Sequence, residues 1–437
     1  MIRLYMSFVS AVTQLDCQAR DLTHLLSPQN TASTSNKSGS IFTQMKSKQL
    51  LNSDDCLWPY QQMEVFEAWS ILRNHGHRLP GQGITVAQLD TGIIPTKSLQ
   101  YTSLVSQGRD GLQQNTQNAL ALNFNLVTGR QEPFDDDPHS ISFGHGTTTA
   151  SVLIGWNDFV KGSDFHFRGV APWIKFIPIK VTDSVVMVGH TSTQGTADLK
   201  NMAEGVTYST SLGADVITVS LGGLFDTEQV MDKPIQEAIN GGAIIVAAGG
   251  QGFHANIVPI PARMPGVIAV TASTKHKNPW KLAFFGEQMA WAAPGVDICH
   301  IHAKEIVHRN AQALAGANPV RIVDRRGELR WMTDEVMLTS GSSYSTAFTA
   351  AAAALWLQFH SPTRLRSIYG SKNISALFAK VAKRYAMDTP SDWNAHQFGQ
   401  GILNIRKLIE APLPCSESDS KKTCKVKTER FLNFELQ

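Results

Sequence analysis

The chain has 437 residues, of which 42% are hydrophobic, 8% aromatic and 17% charged, a composition typical of globular proteins and unlike that of mainly disordered chains. Its formal net charge of +3 is too small to favour nucleic acid or an anionic membrane surface as a partner. No apolar run approaches the ~18 residues that a membrane-spanning helix needs, so we expect no membrane span.

The chain begins with a predicted flexible leader, residues 1–55, which is rich in small polar residues between Asn30 and Ser47. Its first residues, MIRLYMSFVSAV, contain a short apolar run but no clear small-residue cleavage site for a signal peptide. This start favours a cytoplasmic protein over a secreted one without deciding between them. A polar tail, residues 412–437, is predicted at the other end.

Residues 56–411 alternate between helical and strand-like patterns. The segment WPYQQMEVFEAWSILR has a helical apolar spacing at Val65, Trp69 and Leu72. The predicted strands, continuously apolar as buried parallel strands are, follow in the order ITVAQLD, KFIPIKV, ADVITVSL, AIIVAA and VIAVTA. The predicted helices are the stretch after His145, Asn201–Leu212, Val230–Asn240, the Ala-rich run after Ser343, and a late helix with Ile374, Leu377, Phe378, Val381, Ala382 and Tyr385 on one face.

This alternation predicts a single large α/β domain. Its fold class is a doubly wound, mostly parallel sheet with helices on both faces and right-handed crossovers. The five cysteines are odd in number and scattered, which predicts neither a disulfide framework nor a CxxC metal site. Pairing of the two tail cysteines remains an alternative. The cysteines are Cys17, Cys56, Cys299, Cys415 and Cys424.

Three reactive residue types lie where predicted strands end or predicted helices begin, the positions at which α/β sheets place their chemistry. Asp90 ends the strand VAQLD, His145 lies in GHGTTTA, and Ser343 lies in GSSYSTAF. A serine at a helix N-terminus has free backbone N–H groups and the positive end of the helix dipole beside it. Each residue alone also fits a structural role: an Asx turn, a buried structural histidine, or a helix cap.

Taken together, these segments resemble the subtilisin-like serine proteases (subtilases), and the resemblance covers nearly all of Gly83 to Ala411. Asp, His and Ser also follow one another in the family's order. The segments that carry the resemblance are ITVAQLDTGI, FGHGTTTASVL, GVAPWIKFIPIKV, VITVSLGG, WAAPGVDI (the loop before the nucleophile), GSSYSTAFTAAAAAL and FGQGILNIRKLIEA (the closing helix).

The resemblance implies a serine endopeptidase that acts on peptide or protein substrates. By position, Ser343 would attack the scissile carbonyl, His145 would take and return the proton, and Asp90 would hold the imidazole tautomer. The family's chemistry needs no metal and no cofactor. A structural calcium ion has no support in the sequence.

The resemblance also implies where the substrate lies. The backbone of Ser220, Leu221 and Gly222 would pair with the substrate as an edge strand. Ala248 and Gly249 would line the pocket for a substrate side chain.

The oxyanion donor is the main departure from the family. Counting along GAIIVAAGGQG places Gln251 where the family has Asn. Gln carries the same amide on one more methylene, and the flanking glycines would let the backbone adjust. If Gly250 holds that place instead, the side-chain donor is missing, which typically costs about 10²–10³ in turnover. A catalytically weak or inactive peptide-binding protein on the same fold is therefore the alternative.

Other departures are less severe. The family's second His is Thr148 here and its Pro after the nucleophile is Ala347, and neither position transfers a proton. An insertion at about residues 299–338 contains VRIVDRRGELRWM, which predicts a hairpin near the rim of the site. A role in substrate choice and a tolerated surface insertion are equally consistent with it.

Three further patterns resemble binding sites for a dinucleotide or a metal ion, but the residues around each of them argue against such a site. Gly250–Ala255 fits the dinucleotide fingerprint GxGxxA, but the three prolines that follow forbid the required helix. Cys299, His300 and His302 lack further metal ligands nearby, which favours a loop or an edge strand. Asp135–Asp137 could bind calcium, but the pattern favours a solvated acidic loop.

Overall fold

The structure is a computed structural model that describes residues 53–415, apart from positions 97, 100–123, 131, 158–166, 188–192, 225, 227, 253–254 and 307–319. Residues 1–52 and 416–437, with most of the predicted leader and tail, lie outside the described residues. Within the described part, none of the helices combines the length and apolar character that crossing a membrane requires.

The elements alternate along the chain as predicted. The helices in the described ranges are α1 (Ser53–Gln62), α2 (Val65–Asn74), α3 (His145–Ile154), α4 (Thr193–Ser211), α5 (Asp232–Gly241), α6 (Ser342–His360), α7 (Pro362–Tyr369), α8 (Ile374–Tyr385), α9 (Ala395–Phe398) and α10 (Ile405–Glu410), with a 3₁₀ turn at Ser371–Asn373. The strands there are β1 (Thr85–Asp90), β2 (Phe124–Asn125), β3 (Trp156–Asn157), β4 (Phe167–Arg168), β5 (Lys175–Lys180), β6 (Val186–Met187), β7 (Val216–Val219), β8 (Gly222–Gly223), β9 (Ile244–Ala248), β10 (Ile268–Ser273), β11 (Met289–Pro294), β12 (Ile298–Glu305), β13 (Val320–Val323), β14 (Leu329–Thr339), β15 (Met387–Asp388) and β16 (Ile402–Leu403).

A nine-stranded sheet in the order β15-β16-β11-β10-β9-β7-β1-β5-β2 forms the centre of the fold. Its neighbouring strands are parallel except for β15 and β16. The five predicted strands are β1, β5, β7, β9 and β10, and the predicted doubly wound α/β class is confirmed. The segment WAAPGVDI was expected to be a loop, but its first four residues belong to β11, because they are buried between neighbouring strands.

Both faces of the sheet are covered, which explains why the strands are continuously apolar. Successive residues of one strand enter opposite cores: Val86 packs in the core with the Ala-rich helix α6, and Ala87 packs in the core with α4 and α5. Helix α6 is itself enclosed, with residues 350–354 fully buried. In α8 the predicted face is buried except at Tyr385, which is exposed.

The N-terminal helical segment is two helices rather than one, because Glu64 adopts a left-handed conformation (φ 53°) between α1 and α2. A buried disulfide joins Cys56 of α1 to Cys299 of β12. The sequence predicted no disulfide framework and did not indicate this bond, since a spacing of 243 residues carries no local signal. Cys415 is also disulfide-bonded, and Cys424 lies outside the described residues.

The described part of the insertion folds as a three-stranded antiparallel sheet in the order β12-β14-β13. The predicted hairpin is confirmed as β13 and β14, and its turn is closed by Asp324, which accepts hydrogen bonds from the N–H groups of Arg326 and Glu328. Cys299, His300 and His302 lie in β12, an edge of this sheet, as expected.

Candidate active site

The sheet and two helix N-termini bring Asp90, His145 and Ser343 together. Asp90 is the last residue of β1, His145 the first of α3 and Ser343 the second of α6. The close approach of α3 to the strand explains the glycine after His145. A Cβ atom at Gly146 would lie 2.0 Å from the carbonyl oxygen of Gly92, so only glycine fits there.

The three side chains form a hydrogen-bonded chain. His145 Nδ1 lies 2.7 Å from Asp90 Oδ1, and His145 Nε2 lies 3.1 Å from Ser343 Oγ. Because a carboxylate can only accept, this arrangement assigns the ring hydrogen to Nδ1 and leaves the lone pair of Nε2 facing the hydroxyl. Asp90 is buried and is further held by Thr91 N at 2.8 Å and by Thr149 Oγ1 at 3.1 Å.

The Ser343 hydroxyl has two acceptors within reach. Besides His145 Nε2 it lies 3.0 Å from the carbonyl oxygen of Ser220, and a hydroxyl donates only one hydrogen. In return, Ser220 Oγ donates to the Ser343 carbonyl at 3.2 Å. The predicted substrate-edge residue Ser220 is thus in direct contact with the candidate nucleophile.

Gln251 lies at the N-terminus of α6. Its Oε1 accepts hydrogen bonds from Ser342 N at 2.5 Å and Ser342 Oγ at 2.8 Å. The backbone N–H can only donate, so the atom facing it is the amide oxygen and Nε2 is the group left to donate elsewhere. Helix geometry leaves the first N–H groups without intrahelical partners, and since Ser342 N is taken by Gln251, Ser343 N is available at the same place.

The other predicted substrate residues lie near this point but are not all free. Leu221 is buried, while Ala248 and Gly249 lie at the carboxyl end of β9. Gly222, expected on a free edge, is paired in parallel with Val186 of β6. Substrate pairing at Gly222 therefore requires β6 to separate from β8.

A largely buried polar chain that sequence reasoning missed connects the site to the insertion. Thr148 Oγ1 donates to the carbonyl of His145 at 2.8 Å, and the Tyr344 hydroxyl bonds with the side chains of Thr148 and Thr339. Thr339 Oγ1 in turn lies 2.9 Å from His300 Nε2. Burial lowers the pKa of His300 to about 3, which keeps this imidazole neutral.

A buried charge cluster, also missed, supports the loops beside Asp90 and His145. Lys180 Nζ donates to the Thr91 carbonyl at 2.7 Å and pairs with Asp183 at 2.7 Å, with Asp135 and Asp136 at 3.6 and 3.7 Å. Asp135 Oδ2 accepts from Thr91 Oγ1 and Gly144 N.

Burial outweighs these contacts and raises the pKa of Asp135 to about 7. The expectation of a solvated loop at Asp135–Asp137 was wrong for its first two residues, which are buried. Their charges are paired by Lys180 and, from the hairpin turn, by Arg325, which bonds to Asp136 and Asp183.

Two patterns that the sequence did not favour, the dinucleotide fingerprint and a metal site, have the following surroundings in the described residues. No helix is present in the described residues that follow Gly250 up to β10, where a dinucleotide fingerprint would require one. Among the described residues, no group of three or more His, Cys, Asp or Glu side chains is arranged to hold a metal ion.

Comparison with known proteins identifies the family. The model of the Subtilase family matches residues 81–401. Among curated proteins, serine protease AprX of Bacillus subtilis is 26% identical over 313 residues, covering 68% of this chain and 61% of AprX. Minor extracellular protease Epr of the same organism is 24% identical over 241 residues, covering 55% of this chain and 30% of Epr. The chain thus matches less than two thirds of the length of either relative.

Solved structures agree at the level of the fold. MycP1 from Mycobacterium smegmatis superposes with a TM-score of 0.55 at 19% identity, covering 86% of this chain and 90% of that one. A protease from Pseudoalteromonas arctica does so with a TM-score of 0.55 at 17% identity, covering 82% of this chain and 96% of that one. With the family model matching most of its length, the chain belongs to the subtilase family.

Proposed function

We propose that the protein is a serine endopeptidase that hydrolyses peptide bonds in peptides or proteins through an acyl-enzyme intermediate. The observation that carries this proposal is the continuous chain from the buried Asp90 carboxylate through His145 to the Ser343 hydroxyl. The serine proteases among the chain's relatives support the same reaction.

In the first half of the reaction, Ser343 Oγ attacks the scissile carbonyl carbon as its proton passes to His145 Nε2. Asp90 stabilises the resulting imidazolium through Nδ1–H. Collapse of the tetrahedral intermediate breaks the C–N bond, and His145 gives its proton to the leaving amine. In the second half, water attacks the ester with His145 again as base and releases the acid. In this proposal the chemistry needs no metal and no cofactor.

The negative charge that forms on the carbonyl oxygen is stabilised by two donors in this proposal. One is Ser343 N–H at the start of α6, where the helix dipole adds to the effect. The other is Nε2 of Gln251, whose oxygen is already anchored to Ser342. Anchoring one end of the amide fixes the direction of the other, and this supports the assignment of Gln251 as the side-chain donor.

The substrate backbone would lie along Ser220–Gly222. The side chain of the substrate residue on the acyl side of the scissile bond would lie between this segment and Ala248–Gly249. Pairing at Gly222 displaces β6, because β6 uses the same edge of β8. The site therefore opens at this edge when a peptide binds.

The test is peptide hydrolysis by the purified chain and its Ser343→Ala variant. A mixed peptide library analysed by mass spectrometry should show internal cleavage by the parent and none by the variant. Equal cleavage by both would assign the activity to a contaminant. Peptide binding without cleavage by the parent would favour the non-catalytic alternative.

A further inference from the structure

We propose that the side-chain pocket beside Ser343 is shallow and selects substrates with a small residue (Gly, Ala or Ser) on the acyl side of the scissile bond. The inference rests on the proposed function, because it places the peptide along the same segments. It adds the class of substrate.

At Gly222, which forms one wall of the pocket, neighbouring atoms leave little room for a substrate side chain. Side chains alternate along an extended segment, and Ser220, two residues earlier, contacts Ser343 while the intervening Leu221 is buried in the core. A Cβ atom at Gly222 would lie 3.1 Å from Cβ and 3.4 Å from Cγ of Pro259, and 2.7 Å from the carbonyl oxygen of Ile260. The proline ring thus occupies the space in front of this wall.

Pro259 is firmly held in this position. Gly223 N donates to the Ile260 carbonyl at 2.9 Å, and Ile260 N donates to the Gly223 carbonyl at 2.8 Å. Pro259 is buried, as are Val258 and Ile260 beside it. Because the pyrrolidine ring has no rotamer that swings it away, the ring cannot retreat from an entering side chain.

The opposite wall cannot retreat either. A Cβ atom at Gly249 would lie 2.5 Å from Met289 Cε, and one at Gly250 would lie 2.4 Å from Phe284 Cδ2. Met289 and Phe284 are buried in the core on the α4–α5 side of the sheet. Glycine backbone thus lines both walls, with the Pro259 ring against one wall and the core side chains of Met289 and Phe284 behind the other. A packed interior resists expansion, so substrates with Leu or Phe at this position are excluded by steric fit.

The experiment uses peptide amides of one sequence that differ only in the residue before the scissile bond: Gly, Ala, Val, Leu or Phe. A single methylene in a pocket changes kcat/KM by about 10–200-fold. We expect Ala to exceed Leu and Phe by at least about tenfold in kcat/KM. Equal or faster cleavage after Leu or Phe would overturn the proposal.

Variants locate the cause of the preference. Pro259→Gly should raise kcat/KM for Leu and Phe and so reduce the Ala/Leu ratio, and Pro259→Ala should do so to a smaller degree. Pro265→Gly, at an exposed proline of the same segment, should leave the ratio unchanged. A ratio unaffected by both Pro259 variants would remove Pro259 from the selection, and the proposal would fail.

A binding measurement separates this proposal from the proposed function. Peptides that end in the same residues as C-terminal amides are titrated into the Ser343→Ala variant by calorimetry. Tighter binding of the Ala peptide than the Phe peptide, with no cleavage by the parent, would support the pocket and overturn the catalytic proposal. Cleavage by the parent with tighter binding of the Phe peptide would do the reverse.

Discussion

Gln251 Oε1 accepts two hydrogen bonds from Ser342, the residue before the candidate nucleophile. The same side chain thus holds the first turn of α6 with its oxygen, and its nitrogen is the group that we propose as the oxyanion donor. These two roles can be separated by substitution, because a glutamate keeps the acceptor and loses the donor.

Gln251→Glu should therefore fold with parent stability and lose about 10²–10³ in kcat with little change in KM, the usual cost of one oxyanion donor. The measurement is steady-state kinetics on one peptide, with the denaturant midpoint as the control for folding. Turnover equal to that of the parent would remove Gln251 from the mechanism.

Gln251→Ala removes both groups and provides the comparison. It should match the Glu variant in kcat and in addition lose about 1–3 kcal/mol of stability, because Ser342 N loses its acceptor. If the Ala variant kept the parent's stability, the anchoring role of Oε1 would be contradicted.

Tyr344→Phe should break the polar chain that runs from the His145 carbonyl to His300. The hydroxyls of Thr148 and Thr339 would lose a buried partner, at a cost of about 1–3 kcal/mol. Urea unfolding of the variant, compared with Tyr385→Phe at the exposed end of α8, measures this cost. Equal midpoints for the two variants would show that the Tyr344 hydroxyl contributes nothing.

Asp135 should make stability fall as the pH rises. Burial raises the pKa of Asp135 from 3.8 to about 7 in the folded chain, so the folded state binds this proton more tightly than the unfolded state. Its contribution is complete below about pH 4 and is lost progressively up to about pH 7.

Asp135→Asn removes this titration while keeping an acceptor for Thr91 and Gly144. Between about pH 5 and pH 8 the parent should lose a few kcal/mol of unfolding free energy that the variant keeps. The difference between variant and parent should therefore shift in favour of the variant as the pH rises. The comparison is a set of urea unfolding curves across this range. A difference that stays constant with pH would show that Asp135 is already ionised at the acidic end of the range.

The disulfide between Cys56 and Cys299 should contribute about 2–5 kcal/mol to stability, since it closes a long loop. Cys56→Ala, Cys299→Ala and the double variant are compared in guanidinium. If the bond forms, each single variant should cost about as much as the double variant, because either one abolishes the same bond. Additive costs of the two single variants would contradict the bond.

Local patterns in the sequence predicted the backbone framework well. The β-branched runs gave five of the central strands, since residues buried on both faces must be apolar throughout. The positions of Asp90, His145 and Ser343 followed from the strand ends and helix starts around them. Strand β11 was missed because MAWAAP contains no β-branched residue and its burial depends on neighbours distant in sequence.

The sequence could not show which charged side chains form ion pairs or which cysteines form disulfide bonds. Three consecutive carboxylates are usually solvated, but the cations that bury Asp135 and Asp136 come from β5 and from the inserted hairpin. The disulfide and the Tyr344 chain likewise join segments far apart in sequence. Such pairings depend on three-dimensional distance, which no local pattern encodes.

Ser343 is tested as the nucleophile most directly by the intact mass of the purified chain after incubation with a fluorophosphonate. The probe reacts with a serine only when a neighbouring base activates it. We expect a single covalent adduct on the parent, mapped to Ser343, and none on Ser343→Ala or His145→Ala. An unmodified parent, or an adduct that persists in Ser343→Ala, would contradict the assignment of Ser343 as the nucleophile.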